Sequence, residues 1–168
     1  MNDGLLIVRL VFGLMMAAHG AQKLFGWFGG YGLTGTGGFF ETIGFRPGRL
    51  MAFAAGFGEF AGGLLVALGL LGPIGPALML SVMIVASSMH WAKGLFVTTG
   101  GIEVPLLYAA VSVGLAFAGF GALSLDSALG FGALWTDAVT ATALAVGTVG
   151  ALVVLAIRRA PVPAKAAA

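Results

Sequence analysis

The chain contains no cysteine and few charged residues. The absence of cysteine excludes disulfides, cysteine-ligated iron–sulfur clusters and a thiol nucleophile within this chain. Charged residues make up 8% of the sequence, against about 25% in a typical soluble domain, while 60% of the residues are hydrophobic. A surface that faces water needs more charged residues than this chain has. The composition therefore predicts an integral membrane protein that contacts a lipid bilayer. The net charge of +2 is too small and too scattered to suggest a nucleic-acid partner.

Five apolar stretches approach the roughly 20 residues that a membrane-spanning helix needs. They cover residues 5–25, 50–71, 74–91, 102–120 and 135–157. The segment between the first two stretches is too rich in glycine to span, and its aromatic residues are typical of the membrane interface. We expect an interfacial loop there, with a short helix near residues 39–43. The sequence therefore predicts an all-α membrane protein of five crossings, followed by a disordered tail.

The basic residues indicate an orientation in the membrane. Five crossings put the two termini on opposite sides. Seven of the eight lysines and arginines fall on the side of the membrane where the first helix ends. They are Lys23, Arg46, Arg49, Lys93, Arg158, Arg159 and Lys165. The positive-inside rule places this end in the cytoplasm. We therefore expect the N-terminus outside and the C-terminus inside.

Several ionisable residues fall within the predicted spans, in the half of the bilayer nearer the cytoplasm. His19 and Lys23 share one helix face because they are four residues apart, and Glu59 lies near the midplane. An ionisable group at this depth costs at least about 2.5 to 3.5 kcal/mol, so such groups are expected to face inward and to pair. Lys23 can pair with Glu59 or Glu103. His19 is then free to donate a hydrogen bond or to exchange a proton near neutral pH.

These residues define a candidate site for a polar headgroup, such as a quinone ring, that enters from lipid. We predict His19 and Glu59 as catalytic residues and Gln22, Lys23, His90 and Glu103 as ligand-binding residues. Structural roles stay open for some of them. Lys23 can extend to the membrane interface, and the carboxylate of Glu103 can interact with the positive dipole end of the helix that begins there. Two histidines on different helices are also compatible with haem, but their spacing is not specific for it. No metal site is predicted.

A second set of charges lies at the opposite end of the predicted bundle. Arg9 falls well inside the first helix and needs a partner there. Asp126 falls on the same side of the membrane and can supply it. We predict a structural ion pair between Arg9 and Asp126 rather than a catalytic one.

The candidate residues belong to a series of short motifs along the chain. They are "AHGAQKLFGWFG" in the first span, "GEFAGGLLVALGLL" in the second, then His90, "GGIEVPLLYA" and "GFGALSLD". In this order and spacing, over about residues 5–130, they resemble the DoxX family of small bacterial membrane proteins. The resemblance implies a four-helix membrane domain in residues 1–130. An additional transmembrane helix in residues 131–159 and the tail, residues 160–168, would follow it.

The resemblance also implies a role in quinone-linked redox chemistry at the bacterial plasma membrane. It carries over to Arg9, His19, Lys23, Glu59, His90, Glu103, Tyr108 and Asp126, and it adds Tyr108 to the ligand-binding residues. Our first hypothesis is a membrane subunit of an oxidoreductase of sulfur, thiol or oxidative-stress metabolism. In it, His19 and Lys23 contact the quinone oxygens and Glu59 relays or balances protons.

Two other hypotheses stay open. The chain can be a non-catalytic anchor whose basic cytoplasmic face docks a soluble redox enzyme. It can also be a small transporter with a proton path through Glu59 and His19, which with so few helices would require a homo-oligomer. The sequence leaves open whether the chain is itself an enzyme.

Overall fold

The computed structural model describes residues 2–160, which form helices and no strands. The all-α prediction is confirmed. The α-helices of the described range are α1 (Asn2–Phe25), α2 (Gly32–Thr42), α3 (Gly48–Leu68), α4 (Ile74–His90), α5 (Glu103–Ala118), α6 (Leu125–Ala128) and α7 (Asp137–Ala156). Residues 161–168, most of the predicted tail, lie outside the described residues.

Four of these helices, α1, α3, α4 and α7, are long and apolar enough to cross a membrane, α4 together with the short turn after it. α5 has 16 residues and is therefore about 24 Å long, shorter than the roughly 30 Å hydrocarbon core. The predicted stretch 102–120 thus forms a helix with nearly these bounds, ended by Gly119, that is shorter than the four longer candidate spans. α5 still runs the length of the bundle. Before its start, the carbonyl oxygen of Gly100 bonds to His90 at the end of α4, and after its end the carbonyl oxygen of Phe120 accepts from Arg9 of α1.

α1 and α3 pack closely because glycines face each other along their contact. A Cβ atom at Gly20 would lie 2.3 Å from the backbone nitrogen of Phe60. A Cβ atom at Gly63 would lie 2.5 Å from the backbone nitrogen of Ala17. No side chain fits at these two positions without moving a helix. The close contact brings the last turns of α1 directly against the middle of α3.

The glycine-rich connection between α1 and α3 forms a longer helix than the sequence predicts. We expected a short helix near residues 39–43, whereas α2 covers Gly32–Thr42. A Cβ atom at Gly37 would lie 2.9 Å from the Cα of Arg49, and one at Gly48 would lie 2.1 Å from the carbonyl oxygen of Gly37. The glycines thus let α2 lie directly on the start of α3, and this packing overrides their poor helix propensity.

α7, predicted as an additional helix, packs against α4. A Cβ atom at Gly147 would lie 2.6 Å from the carbonyl oxygen of Ala77, which shows how closely the two helices approach. Beyond the end of α7, Arg158 Nε donates to the carbonyl oxygen of Ile43 at 2.9 Å, and the Arg159 backbone N–H donates to that of Gly44 at 2.9 Å. These bonds fasten α7 to the segment that follows α2.

The prediction of a direct ion pair between Arg9 and Asp126 is wrong. Arg9 is 1% exposed, and its guanidinium donates to the carbonyl oxygens of Val66 at 3.2 Å, Ala67 at 3.3 Å and Phe120. The last carbonyls of a helix have no partner within it, and the planar guanidinium carries five donors that can satisfy several of them. Arg9 therefore closes the C-terminal end of α3 and holds the end of α5.

Asp126, buried nearby, has different partners. Its carboxylate accepts hydrogen bonds from the backbone N–H groups of Leu71 at 2.8 Å and Gly72 at 2.7 Å. These groups belong to the tight connection between α3 and α4, where no helix pairs them. Arg9 and Asp126 thus fix the same end of the bundle through the backbone, and no salt bridge joins them in residues 2–160.

Candidate functional site

Five polar side chains predicted from the sequence line a single cavity of about 260 Å³, called the polar cavity below. They are His19 and Lys23 of α1, Glu59 of α3, His90 of α4 and Tyr108 of α5. The remaining lining is mostly apolar and includes Met16, Met83, Ala86, Val97, Val104 and Pro105, with Gly100 and Gly101. The predicted convergence of His19, Lys23 and Glu59 is therefore present in the structure, whereas their chemical roles stay predictions.

The charged centre of the polar cavity is a salt bridge between Lys23 Nζ and Glu59 Oε2. Of the two partners considered for Lys23, the structure selects Glu59. The carboxylate belongs to a residue that is 3% exposed, while the Lys23 side chain is 25% exposed. The two side chains can meet because the close contact of Gly20 with the backbone of α3 lies about one helical turn from Lys23. The pair neutralises two charges that would otherwise be costly in hydrocarbon.

Both histidines of the chain are held in the same tautomer. His19 Nδ1 lies 2.9 Å from the carbonyl oxygen of Met15, and His90 Nδ1 lies 2.6 Å from that of Gly100. A carbonyl can only accept, so Nδ1 carries the hydrogen in each ring. Nε2, which has no hydrogen bond within residues 2–160, is then an acceptor in the neutral ring and a donor in the protonated one. Nε2 is therefore the ring atom of each histidine that is left to contact a ligand.

Tyr108 faces His19 across the polar cavity. The two rings meet edge to face, with centroids 6.3 Å apart, and Phe12 packs on Tyr108 in the same manner at 5.3 Å. These contacts fix the plane of the phenol ring. Its hydroxyl makes no hydrogen bond to another described residue, so it can donate one to a ligand.

Gln22 and Glu103 do not line the polar cavity. Gln22 Nε2 donates to the carbonyl oxygen of Phe28 at 3.2 Å, which braces the glycine-rich turn after α1. Glu103 Oε2 accepts from the backbone N–H of Val97 at 2.7 Å, which braces the loop before α5. The ligand-binding role predicted for these two residues stays a prediction, and Gln22 lines a separate cavity beside Lys23. Each positions a loop, and the second loop contributes Gly100 and Gly101 to the lining of the polar cavity.

A second cavity of about 520 Å³, called the α2 cavity below, adjoins the polar cavity. Its lining includes the aromatic and aliphatic residues Phe39, Phe40, Ile43, Phe45, Met51, Val82, Val85, Met89 and Val154, together with the polar side chains of Lys23, Glu59, Ser81, His90 and Lys93. The sequence analysis assigned Phe39 and Phe40 to the membrane interface and did not predict this cavity. The aromatic residues of α2 are the adjacent Phe39 and Phe40, so no helical periodicity in the sequence indicated that they line a cavity.

Comparison with known proteins identifies a family. The family model described as DoxX matches residues 4–92, which is more than half of the chain. The matched segment contains nearly all of α1 and the whole of α2, α3 and α4, and with them four of the five polar residues of the polar cavity. No curated protein and no solved structure matches the chain.

Proposed function

Because the chain belongs to the DoxX family, we propose that it is the membrane subunit of a quinone-linked oxidoreductase and that its polar cavity binds the quinone head. One observation carries the proposal. Five polar side chains from four helices line one small cavity inside a chain that is otherwise strongly apolar. Groups of this kind are expensive in a membrane and are expected to mark a functional site.

The side chains of the polar cavity fit the chemistry of a quinone ring. The ring is flat, with apolar faces and two carbonyl oxygens that accept hydrogen bonds. Lys23 Nζ, the Tyr108 hydroxyl and a protonated histidine Nε2 are all donors for such oxygens. Met16, Met83 and Pro105 supply apolar contacts for the faces of the ring. This mixture of a few polar groups in an apolar lining is typical of small-molecule sites.

The bound quinone would supply two-electron acceptor chemistry, and reduction to the quinol also consumes two protons. His19 and His90 are suited to deliver protons at Nε2, because Nδ1 of each ring is held by a carbonyl. The Lys23–Glu59 salt bridge keeps the charge of the cavity balanced while a proton moves. The chain has no cysteine to carry electrons, so in this proposal a partner subunit provides them.

The position of the basic residues supports a cytoplasmic partner. Six of them in the described residues lie at the end of the bundle that holds the polar cavity, and they are Lys23, Arg46, Arg49, Lys93, Arg158 and Arg159. By the positive-inside rule this end faces the cytoplasm of a bacterium, across its plasma membrane. The same basic end also favours the alternative function, a non-catalytic anchor that docks a soluble redox enzyme without binding quinone.

Quinone that co-purifies with the protein would test the proposal. The protein is purified gently from native membranes and its bound small molecules are identified by mass spectrometry. We expect quinone with the wild type and its loss in Glu59→Gln, which keeps the shape of the side chain and removes its charge. The matched control is Glu41→Gln, because Glu41 is exposed at the same end and lines neither cavity.

The two functions predict different outcomes of this experiment. Quinone in the wild type and the control, but not in Glu59→Gln, supports the oxidoreductase subunit. A bundle that never binds quinone, added or native, and that co-purifies with a soluble redox enzyme, would replace it with the anchor.

A further inference from the structure

Another cavity, called the Trp135 cavity below, lies at the end of the bundle opposite the polar cavity. Its volume is about 350 Å³, within the roughly 300–1,000 Å³ typical of small-molecule sites. The connection between α3 and α4, the end of α5, α6 and the start of α7 surround it. None of its lining residues lines the polar cavity, so what it binds is independent of the proposed function.

The charged side chains in the lining of the Trp135 cavity are both acidic. They are Asp126, which is 4% exposed, and Asp137, which is exposed at the start of α7. Each carboxylate oxygen of Asp126 accepts one backbone N–H, which leaves lone pairs for a further donor. Asp137 makes no salt bridge within residues 2–160. The first requirement on a ligand is therefore a positive charge that carries hydrogen-bond donors.

Two polar groups of the same lining have no partner among residues 2–160. The indole Nε1–H of Trp135 is buried and makes no hydrogen bond. Thr140 is 3% exposed, and its hydroxyl makes no hydrogen bond either. An indole nitrogen can only donate, and buried donors are nearly always paired. The second requirement on a ligand is therefore a hydrogen-bond acceptor.

Gly72 holds these two requirements close together. A Cβ atom there would lie 2.4 Å from Cδ2 of Trp135, so the absence of a side chain lets the indole ring lie on the α3–α4 connection. The backbone N–H of the same glycine donates to Asp126 at 2.7 Å. The indole and the carboxylate thus contact one residue. A ligand that bonds to both must carry its donor and its acceptor only a few atoms apart.

We propose that the Trp135 cavity binds an ethanolamine phosphate group, in which a short linker joins a primary ammonium to a phosphate. The ammonium donates to Asp126 and Asp137, and a phosphate oxygen accepts from Trp135 Nε1 and the Thr140 hydroxyl. A polyol lacks the charge that the aspartates require, and a polyamine lacks an acceptor for the indole. The start of α7, a helix long enough to span the membrane, lies at the level of lipid headgroups, which favours a phospholipid as the source.

Competition among phospholipids tests the inference. The full-length protein is delipidated in mild detergent and mixed with equal amounts of phosphatidylethanolamine, phosphatidylcholine and phosphatidylglycerol that carry the same acyl chains. Native mass spectrometry then measures which lipid stays bound. The first variant is Asp137→Asn, at an exposed residue, and the second is Trp135→Phe, which keeps an aromatic ring and removes the donor. The control is Asp3→Asn, which removes the same charge at an exposed residue of the same end, outside the lining.

We expect the wild type and Asp3→Asn to retain phosphatidylethanolamine about tenfold over the other two lipids, since a hydrogen bond to a charged group is worth about this factor. The ammonium of phosphatidylcholine has no N–H, and phosphatidylglycerol has no ammonium. Asp137→Asn should lose most of this preference. Trp135→Phe should lower the retention of all three lipids and keep the preference, because each of them carries the phosphate.

Equal retention of phosphatidylethanolamine and phosphatidylcholine by the wild type would overturn the inference. An unchanged preference in Asp137→Asn would also overturn it, since the lipid would then be bound elsewhere. Soluble phosphoethanolamine, added as a competitor, identifies the source of the group. If it displaces the bound lipid, the site takes a soluble ligand of the same chemistry, and if it does not, the headgroup is held as part of the lipid.

Discussion

Removing either partner of the salt bridge between Lys23 and Glu59 should destabilise the bundle, but the two losses of stability should differ. Lys23→Met leaves the carboxylate of Glu59, which is 3% exposed, buried without a partner. Stranding a buried charge costs about 3–5 kcal/mol. Glu59→Gln leaves the ammonium of Lys23, whose side chain is 25% exposed and can snorkel toward water. We expect a smaller loss there, about 1.5–3 kcal/mol, the range for a hydrogen bond to a charged group.

The double variant Lys23→Met with Glu59→Gln separates the pair from its members. No charge is left in the double variant, so it should be more stable than Lys23→Met alone. The coupling energy should exceed about 1 kcal/mol, within the range measured for residues in contact. Unfolding is followed by circular dichroism in mixed micelles as the fraction of denaturing detergent is increased.

Additive losses would refute this account of the pair. If the double variant is destabilised by the sum of the two single losses, the two residues do not interact in the folded bundle. Glu41→Gln is the matched control, since its carboxylate accepts one hydrogen bond, from the Gly48 N–H at 3.1 Å, which the amide oxygen of glutamine can replace. It should stay within about 0.5 kcal/mol of the wild type.

Three further predictions concern the rest of the bundle. Arg9→Lys should destabilise by about 2–4 kcal/mol in the same assay, because one ammonium cannot replace the planar fork that bonds to three carbonyls; wild-type stability would contradict this. Gly20→Ala should separate α1 from α3 and destabilise, whereas Gly114→Ala, with no atom within 4 Å of its added Cβ, should be neutral or stabilising. Finally, a C-terminal fluorescent-protein fusion should fluoresce and a C-terminal alkaline phosphatase fusion should be inactive; an active phosphatase would reverse the proposed orientation.

The residues of the polar cavity could be predicted because hydrocarbon makes ionisable groups costly. His19, Lys23 and Glu59 have only a few ways to avoid lipid, and their helical spacing already places two of them on one face. Spans could be located for the same reason, since hydropathy reports directly on the solvent around a helix. The sequence therefore predicted the helices and the group of side chains between them.

Partners that belong to the backbone could not be predicted in this way. Arg9 pairs with carbonyl oxygens, which every residue carries and which no sequence pattern marks. The length of α2 depends on how closely Gly37 approaches α3, and that distance is set by tertiary packing. The α2 cavity depends on three helices and the end of a fourth at once. Pairwise reasoning about charges reaches none of these features.

The chain order of the Lys23–Glu59 pair has a consequence for biogenesis. α1 and α3 are the first two helices that could span the membrane, so both charges leave the ribosome before the rest of the bundle is made. The translocon can therefore pass these helices into lipid as a hairpin whose charges already neutralise each other. Arg9 is different, because one of its acceptors, Phe120, follows 111 residues later. The Lys23–Glu59 pair can thus form before Arg9 reaches all of its acceptors.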